Sequence, residues 1–118
     1  MAITRIGEYA FQNCGALEAI DLPKTLTEIG EYAFYSCSSL TTVEFPEGLE
    51  TIGEDAFEYC SSLESVYIPT SVETVGSYAF YGTYGTIYVA FSEAEADARC
   101  GYSWSGYYAN VVYDYTKD

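Results

Sequence analysis

Two kinds of side chain in this chain could do chemistry: carboxylates and thiols. Asp21 and Glu44 stand 23 residues apart in matching surroundings, each one residue after an aliphatic side chain and two before a proline. Side by side on neighbouring strands, such carboxylates lie about 5 Å apart, a separation that suits retaining glycoside hydrolysis. That reaction needs one carboxyl kept protonated in a pocket, and an open sheet face offers none. Cys14, Cys37 and Cys60 recur at the same interval. Zinc sites pair cysteines at short spacing, and no Cys-x-x-Cys occurs here. Stacked cysteines come within disulfide range, yet equivalent side chains in a stack run parallel, which disfavours the disulfide dihedral. They read as buried thiols acting as small apolar groups. Cys100 has no mate and is expected to react first. Histidine is absent, which removes the commonest general base and metal ligand. No D-x-D-x-D-G calcium loop occurs, and Glu93, Glu95 and Asp97 read as a solvated helix face. Neither catalytic residues, metal nor cofactor is expected.

The elements that would position these residues follow from a repeat. Ile6, Ile29, Ile52 and Val75 are 23 residues apart (29−6, 52−29, 75−52), as are Phe11, Phe34, Phe57 and Phe80. Pro23, Pro46 and Pro69 keep the same step. A period of 20–29 residues is the mark of a solenoid with a short strand per coil. The first coil is placed at about 3–26, the second at 27–49 and the third at 50–72. A fourth begins at Glu73 and departs from the pattern after Phe80. Leu40, Val43 and Phe45 and their counterparts suit a strand with one face inward, ended by proline. Ile29, Ala33 and Phe34 suit one helical turn behind it, with Gly30 allowing a close approach that a Cβ would block.

After Phe80 the pattern changes. Residues 86–91 read as a further strand, and residues 92–99 as a helix with Ser92 as N-cap, acidic residues early and Arg99 late. Gly101 is expected to end it. Residues 110–115 read as a last strand. The chain is thus divided into repeat coils over 1–91 and a C-terminal capping segment over 92–118.

Solenoids bind with the surface their strands line. The outward positions are expected in two rows, Ala19, Thr42, Ser65 and Tyr88, then Asp21, Glu44, Tyr67 and Ala90. Within them Asp21, Thr42, Glu44, Ser65, Tyr67 and Tyr88 are the candidate contact residues, with the tyrosines as anchors. Tyr9, Tyr32 and Tyr78 recur on the other side, with Asp55 breaking their series, and read as cover for the back of the core. The net charge of −14 repels nucleic acid and anionic membranes, so neither is expected as a partner. No apolar run approaches the roughly 20 residues of a membrane span.

The run from Cys37 to Phe57, Cys-x-x-Leu-x-x-Val-x-Phe-Pro-x-x-Leu-x-x-Ile-Gly-x-x-Ala-Phe, resembles the BspA-like leucine-rich repeats, also called the Treponema pallidum type. The resemblance spans roughly residues 3 to 91. It implies an α/β solenoid, a leucine-rich-repeat right-handed superhelix with one short parallel strand per coil and a C-terminal capping helix and strand. Members are mostly cell-surface or secreted proteins, so it implies an adhesin-type, non-enzymatic module that binds a host extracellular protein or another cell-surface protein. A structural spacer that displays other domains is the alternative, with a glycan-acting enzyme behind both. No signal peptide is visible at Met1. The first coil is expected to present an unpaired edge through which a homodimer could form.

Overall fold

β-Branched residues favour a pleated, half-buried surface, and here they recur at two places in each coil. The computed structural model describes residues 2–117. In chain order its elements are β1 (Arg5–Ile6), β2 (Ala19–Ile20), β3 (Glu28–Ile29), β4 (Thr42–Val43), β5 (Thr51–Ile52), β6 (Ser65–Ile68), β7 (Thr74–Val75), β8 (Thr86–Val89), α1 (Glu93–Arg99) and β9 (Asn110–Val112). The strands make two parallel sheets, β1-β3-β5-β7 and β2-β4-β6-β8-β9. The expected strand ahead of each proline lies in the second sheet. The first sheet, built on the Ile6–Ile29–Ile52–Val75 series, is a second ladder that the isoleucine spacing did not reveal.

The segment from Gly30 to Leu40 is not a helical turn. Ala33, Tyr35 and Cys37 each donate to the carbonyl three residues back, at 3.2–3.3 Å. Between them, Tyr32, Phe34 and Ser36 donate to Glu54, Ala56 and Glu58 of the next coil, at 2.7–3.0 Å. Left-handed φ values at Tyr32 (58°) and Ser36 (58°) turn these N–H groups along the stack. A helix would have kept every N–H within its own coil. Gly30 does allow the close approach expected of it: a Cβ there would lie 2.8 Å from the Glu8 nitrogen, and one at Gly53 2.7 Å from that of Glu31.

The core follows from the register. Phe11, Phe34, Phe57 and Phe80 form a column with successive centroid distances of 5.1, 4.9 and 5.3 Å and interplanar angles under 10°. Phe45 meets Phe57 edge-on at 5.6 Å. Trp104 closes the column edge-on to Phe80 at 6.3 Å. First-coil residues Ile6, Phe11, Leu17, Ile20 and Leu22 are only half-buried, whereas their second- and third-coil counterparts are buried.

The tail builds a fifth rung. Cys100 bridges Val75, Gly101 N–H donates to the Val75 carbonyl at 2.7 Å, and Phe80 N–H donates to the Trp104 carbonyl at 2.7 Å. β9 pairs with β8. The helix is as expected at its start, where Ser92 and Glu95 form a capping box. Its end is not at a glycine cap: Cys100 is already extended (φ −111°), drawn into pairing with Val75. Gly101 takes the place of Gly76, and its missing Cβ leaves room for Ser77. The last strand stops at Val112, because Asp114 (φ 55°) turns the chain back over the sheet.

All four cysteines are free thiols. The Cys37 and Cys60 Sγ atoms each donate to a carbonyl of the preceding coil, those of Phe11 and Phe34, at 3.1 Å. Burial pushes the Cys60 and Cys100 thiols up to about 12, and raises that of Cys37. Burial of its thiol argues against Cys100 reacting first, since its backbone has joined the isoleucine ladder. Cys14, half-buried in the first coil, should be alkylated first in the native protein, and mass spectrometry of a time course checks the order. Phe57→Ala removes a ring with aromatic neighbours on both faces and should cost about 3–5 kcal/mol in urea unfolding. A midpoint close to the parent's would contradict the column.

Candidate functional site

The outer face of the second sheet carries the residues expected to make contacts. Its register places Ala19, Thr42 and Ser65 in one row. The fourth member of that row is Thr86, not Tyr88. Tyr88 pairs with Tyr67, and so completes the row of Asp21 and Glu44 in place of Ala90. The cause is a shortened turn. From Cys60 to Val66 is six residues, but from Thr83 to Ile87 only four (66−60, 87−83). Gly85 permits the shortcut, since a Cβ there would lie 2.2 Å from the Glu64 carbonyl oxygen.

Asp21, Thr42, Glu44 and Ser65 are exposed on this face, while Tyr67 and Tyr88 are half-buried. An open groove of about 430 Å³ joins all six, with Tyr115 and Lys117 at its rim. Tyr115 lies 4.5 Å from Tyr88 and 6.0 Å from Tyr67 between ring centroids, held by its N–H donating to the Val89 carbonyl at 2.9 Å. The Lys117 Nζ sits 5.1 Å over the Tyr67 ring. These two residues were missed because residues 110–115 read as one continuous strand. The Asp114 between two tyrosines was the available sign of a turn. Burial, then the Glu47 charge, raises the Tyr67 hydroxyl above its ordinary value, so it stays a neutral donor at physiological pH. The groove thus has an acidic end at Asp21 and Glu44 and an aromatic end at Tyr67, Tyr88 and Tyr115.

A second exposed surface lies on the turn segments between the two sheets. Tyr9 stacks on Tyr32 at 5.1 Å. Edge contacts continue from Tyr32 through Tyr35, Tyr59 and Tyr81 to Tyr107, at 5.4–6.1 Å. Tyr9, Tyr59, Tyr78 and Tyr107 are exposed while Tyr32, Tyr35 and Tyr81 are half-buried, so this ladder meets water as well as covering the turn segments. Asp55 takes the tyrosine place in the third coil with the same left-handed φ of 58°. Burial, then a hydrogen bond with Asp55 and its charge, pushes the Glu58 carboxyl up to about 8.

The repeat, the two ladders and the stacked phenylalanines fit the description of a BspA-type leucine-rich repeat region, which matches residues 1–96 in six copies. The chain belongs to the BspA-type leucine-rich repeat family. A crystal structure of a Treponema pallidum leucine-rich repeat protein superimposes with a TM-score of 0.63 and 25% identity, over 85% of this chain and 63% of that one. This BspA-type chain therefore spans under two thirds of that relative's length. No curated protein matches it. Repeats of this family are built for interaction with other proteins. No helix among the described residues is long and apolar enough to cross a membrane.

Glu58 gives a test of these electrostatics. A carboxyl with a native value above its ordinary 4.5 opposes folding once pH passes 4.5, and the whole penalty is present above about 8. Glu58→Gln removes it. The variant should gain thermal stability over the parent at pH 8.5 and little at pH 4. An equal gain at both would show that the carboxyl is not perturbed by its surroundings.

Proposed function

We propose that this chain is a non-enzymatic, adhesin-type binding module of a cell-surface or secreted protein, and that the strand-lined groove is its contact face. One observation carries the reading: an acidic pair and three tyrosines share an open groove on a rigid parallel sheet. Tyrosines supply contact area at low entropic cost, and carboxylates at the rim select and steer a partner of opposite charge. The openness that suits an extended protein segment also works against hydrolysis, since neither Asp21 nor Glu44 is enclosed. Residues 1–91 would be the binding part, and residues 92–118 the closing segment that adds Tyr115 to it. The partner is a host extracellular protein or another cell-surface protein. A second copy could also cover the half-buried side of the first coil, where Ile3 is exposed.

Surface plasmon resonance against purified extracellular matrix proteins tests the contact face. Asp21→Lys with Glu44→Lys should weaken binding at least tenfold, roughly 1.4 kcal/mol, and flatten its salt dependence. Glu93→Lys with Asp97→Lys on the helix makes the same charge change elsewhere and should leave most of the affinity. Equal losses would mean that net charge, not this face, governs binding. For the first coil, light scattering over a concentration series should show a dimer that Ile3→Lys with Ile6→Lys abolishes. A monomer at all concentrations removes the self-association reading.

A further inference from the structure

The strand-lined groove already holds a cation, and that cation is the chain's own. The Lys117 Nζ lies 5.1 Å over the Tyr67 ring. Among the described residues it forms no ion pair. Yet Asp21 and Glu44 line the same groove, and the Glu47 charge reaches the Tyr67 hydroxyl. A ring face, not a carboxylate, therefore holds this ammonium. Beyond it the groove continues into a second stretch of about 620 Å³, lined by Asp21, Glu44, Glu47 and Lys24. Lys117 lines both stretches and so stands at their junction.

Three rings make the seat. Tyr67 and Tyr88 are register partners on neighbouring strands. Tyr115 leans on both, with interplanar angles of 63° to Tyr67 and 43° to Tyr88. Rings inclined in this way do not close on one another as a flat stack does, and all three line the open groove. Backbone bonds fix the third ring. The Asp114 and Tyr115 N–H groups donate to the Phe91 and Val89 carbonyls, at 3.0 and 2.9 Å. Two residues further on, Lys117 is exposed, and among the described residues no hydrogen bond ties its side chain. The seat is thus rigid, and its occupant is loosely held.

We propose, on the reading of this groove as the contact face, that the three tyrosines are its recognition point, that they take a lysine side chain from an extended, basic segment of a partner protein, and that Lys117 holds the seat in cis until the partner displaces it. The face of a phenol ring attracts a cation, and the apolar stem of lysine lies well along ring surface. The ammonium then points into a groove whose carboxylates, Asp21, Glu44 and Glu47, repel an acidic ligand and are left without a counter-charge by a neutral one. A residue tethered beside its seat competes at an effective concentration of about millimolar. A lone lysine in trans does not overcome that, whereas a segment that also contacts the rest of the groove does. Cis occupancy lowers the apparent affinity by the fraction of seats left free.

The probe is a blocked Gly-Lys-Gly-Gly-Lys-Gly peptide, compared by calorimetry at low salt with a twin carrying norleucine for lysine. Norleucine keeps the stem and drops the ammonium, so the twin should bind about tenfold more weakly. Lys117→Gln empties the seat and should tighten binding of the lysine peptide about fivefold. Lys24→Gln makes the same charge change in the adjoining stretch and should tighten it less than about twofold, as an exposed charge does. Adding Tyr67→Val to Lys117→Gln removes the ring face with a residue that suits a strand, and should cancel the gain. In the parent, the Tyr67 ring current should shift the Lys117 Cε protons upfield, and the lysine peptide at saturation should return them. Thermal midpoints check folding, and should the double variant unfold, the comparison of Lys117→Gln with Lys24→Gln decides. Equal gains from those two variants, equal binding of the twin, or Lys117 protons unmoved by the peptide would each overturn the seat. If it falls while Asp21→Lys with Glu44→Lys still weakens binding to matrix proteins, the groove stands without it. Seat-dependent peptide binding with no matrix protein bound would uphold the seat and remove the adhesin reading.

Discussion

The structure depends on backbone hydrogen bonds that run between coils rather than within them. In the turn segments every second N–H reaches across to the next coil, as from Tyr32 to Glu54, Phe34 to Ala56 and Ser36 to Glu58. The strands do the same on both other sides. A buried backbone group without a partner is costly, so a coil cannot exist alone. The arrangement works only if consecutive coils have the same length, which is why the 23-residue step is so strict from Ile6 to Val75. It also requires left-handed residues at two points of each turn segment and a missing Cβ at Gly30, Gly53 and Gly76, where neighbouring backbones approach most closely.

That constraint makes every surface a ladder. A side chain placed at one position meets its own kind one coil away. For phenylalanine this is favourable, and the column from Phe11 to Phe80 is the result. For cysteine it is tolerated, because each buried Sγ finds a carbonyl in the preceding coil. Thr83 continues that series where the coil shortens, and its hydroxyl lacks a partner among the described residues. For glutamate it is a cost, seen where burial and then the Glu54 and Glu8 charges raise Glu31. Specific surface chemistry then arises where the repeat is broken. Asp55 replaces a tyrosine, and Tyr67 and Tyr88 replace the acidic residues of the first two coils.

The same logic explains the closing end. A stack needs something that satisfies the backbone groups of the last coil. Residues 100–112 do so by imitating a coil: Cys100 stands for isoleucine, Gly101 for the repeat glycine, and Trp104 lends its carbonyl to Phe80 while its ring meets the phenylalanine column edge-on. An edge-on ring leaves no flat face for a sixth coil to stack against. The helix α1 occupies the stretch that in other coils is the turn after proline.

Much of this was legible in the sequence, because a stack turns period into contact. The spacing of Phe34, Phe57 and Phe80 was enough to bury them, and the strand before each proline followed from β-branched residues at alternate positions. Asp21, Thr42, Glu44 and Ser65 could be placed on one face for the same reason. What only the tertiary structure decided lay where period fails or where local geometry is degenerate. The two-residue shortening before β8 moved Tyr88 into the Tyr67 row, and a register shift is invisible until strands are paired. A run such as Ile29 to Cys37 has the same apolar spacing as a helical turn. Only the neighbouring coil, accepting alternate N–H groups, selects the left-handed turns instead. Tyr115 reached the groove because Asp114 reverses the chain, a choice set by the Phe91 and Val89 carbonyls that wait for its backbone. Repetition is read along the chain, whereas its interruptions acquire meaning only from what lies across from them.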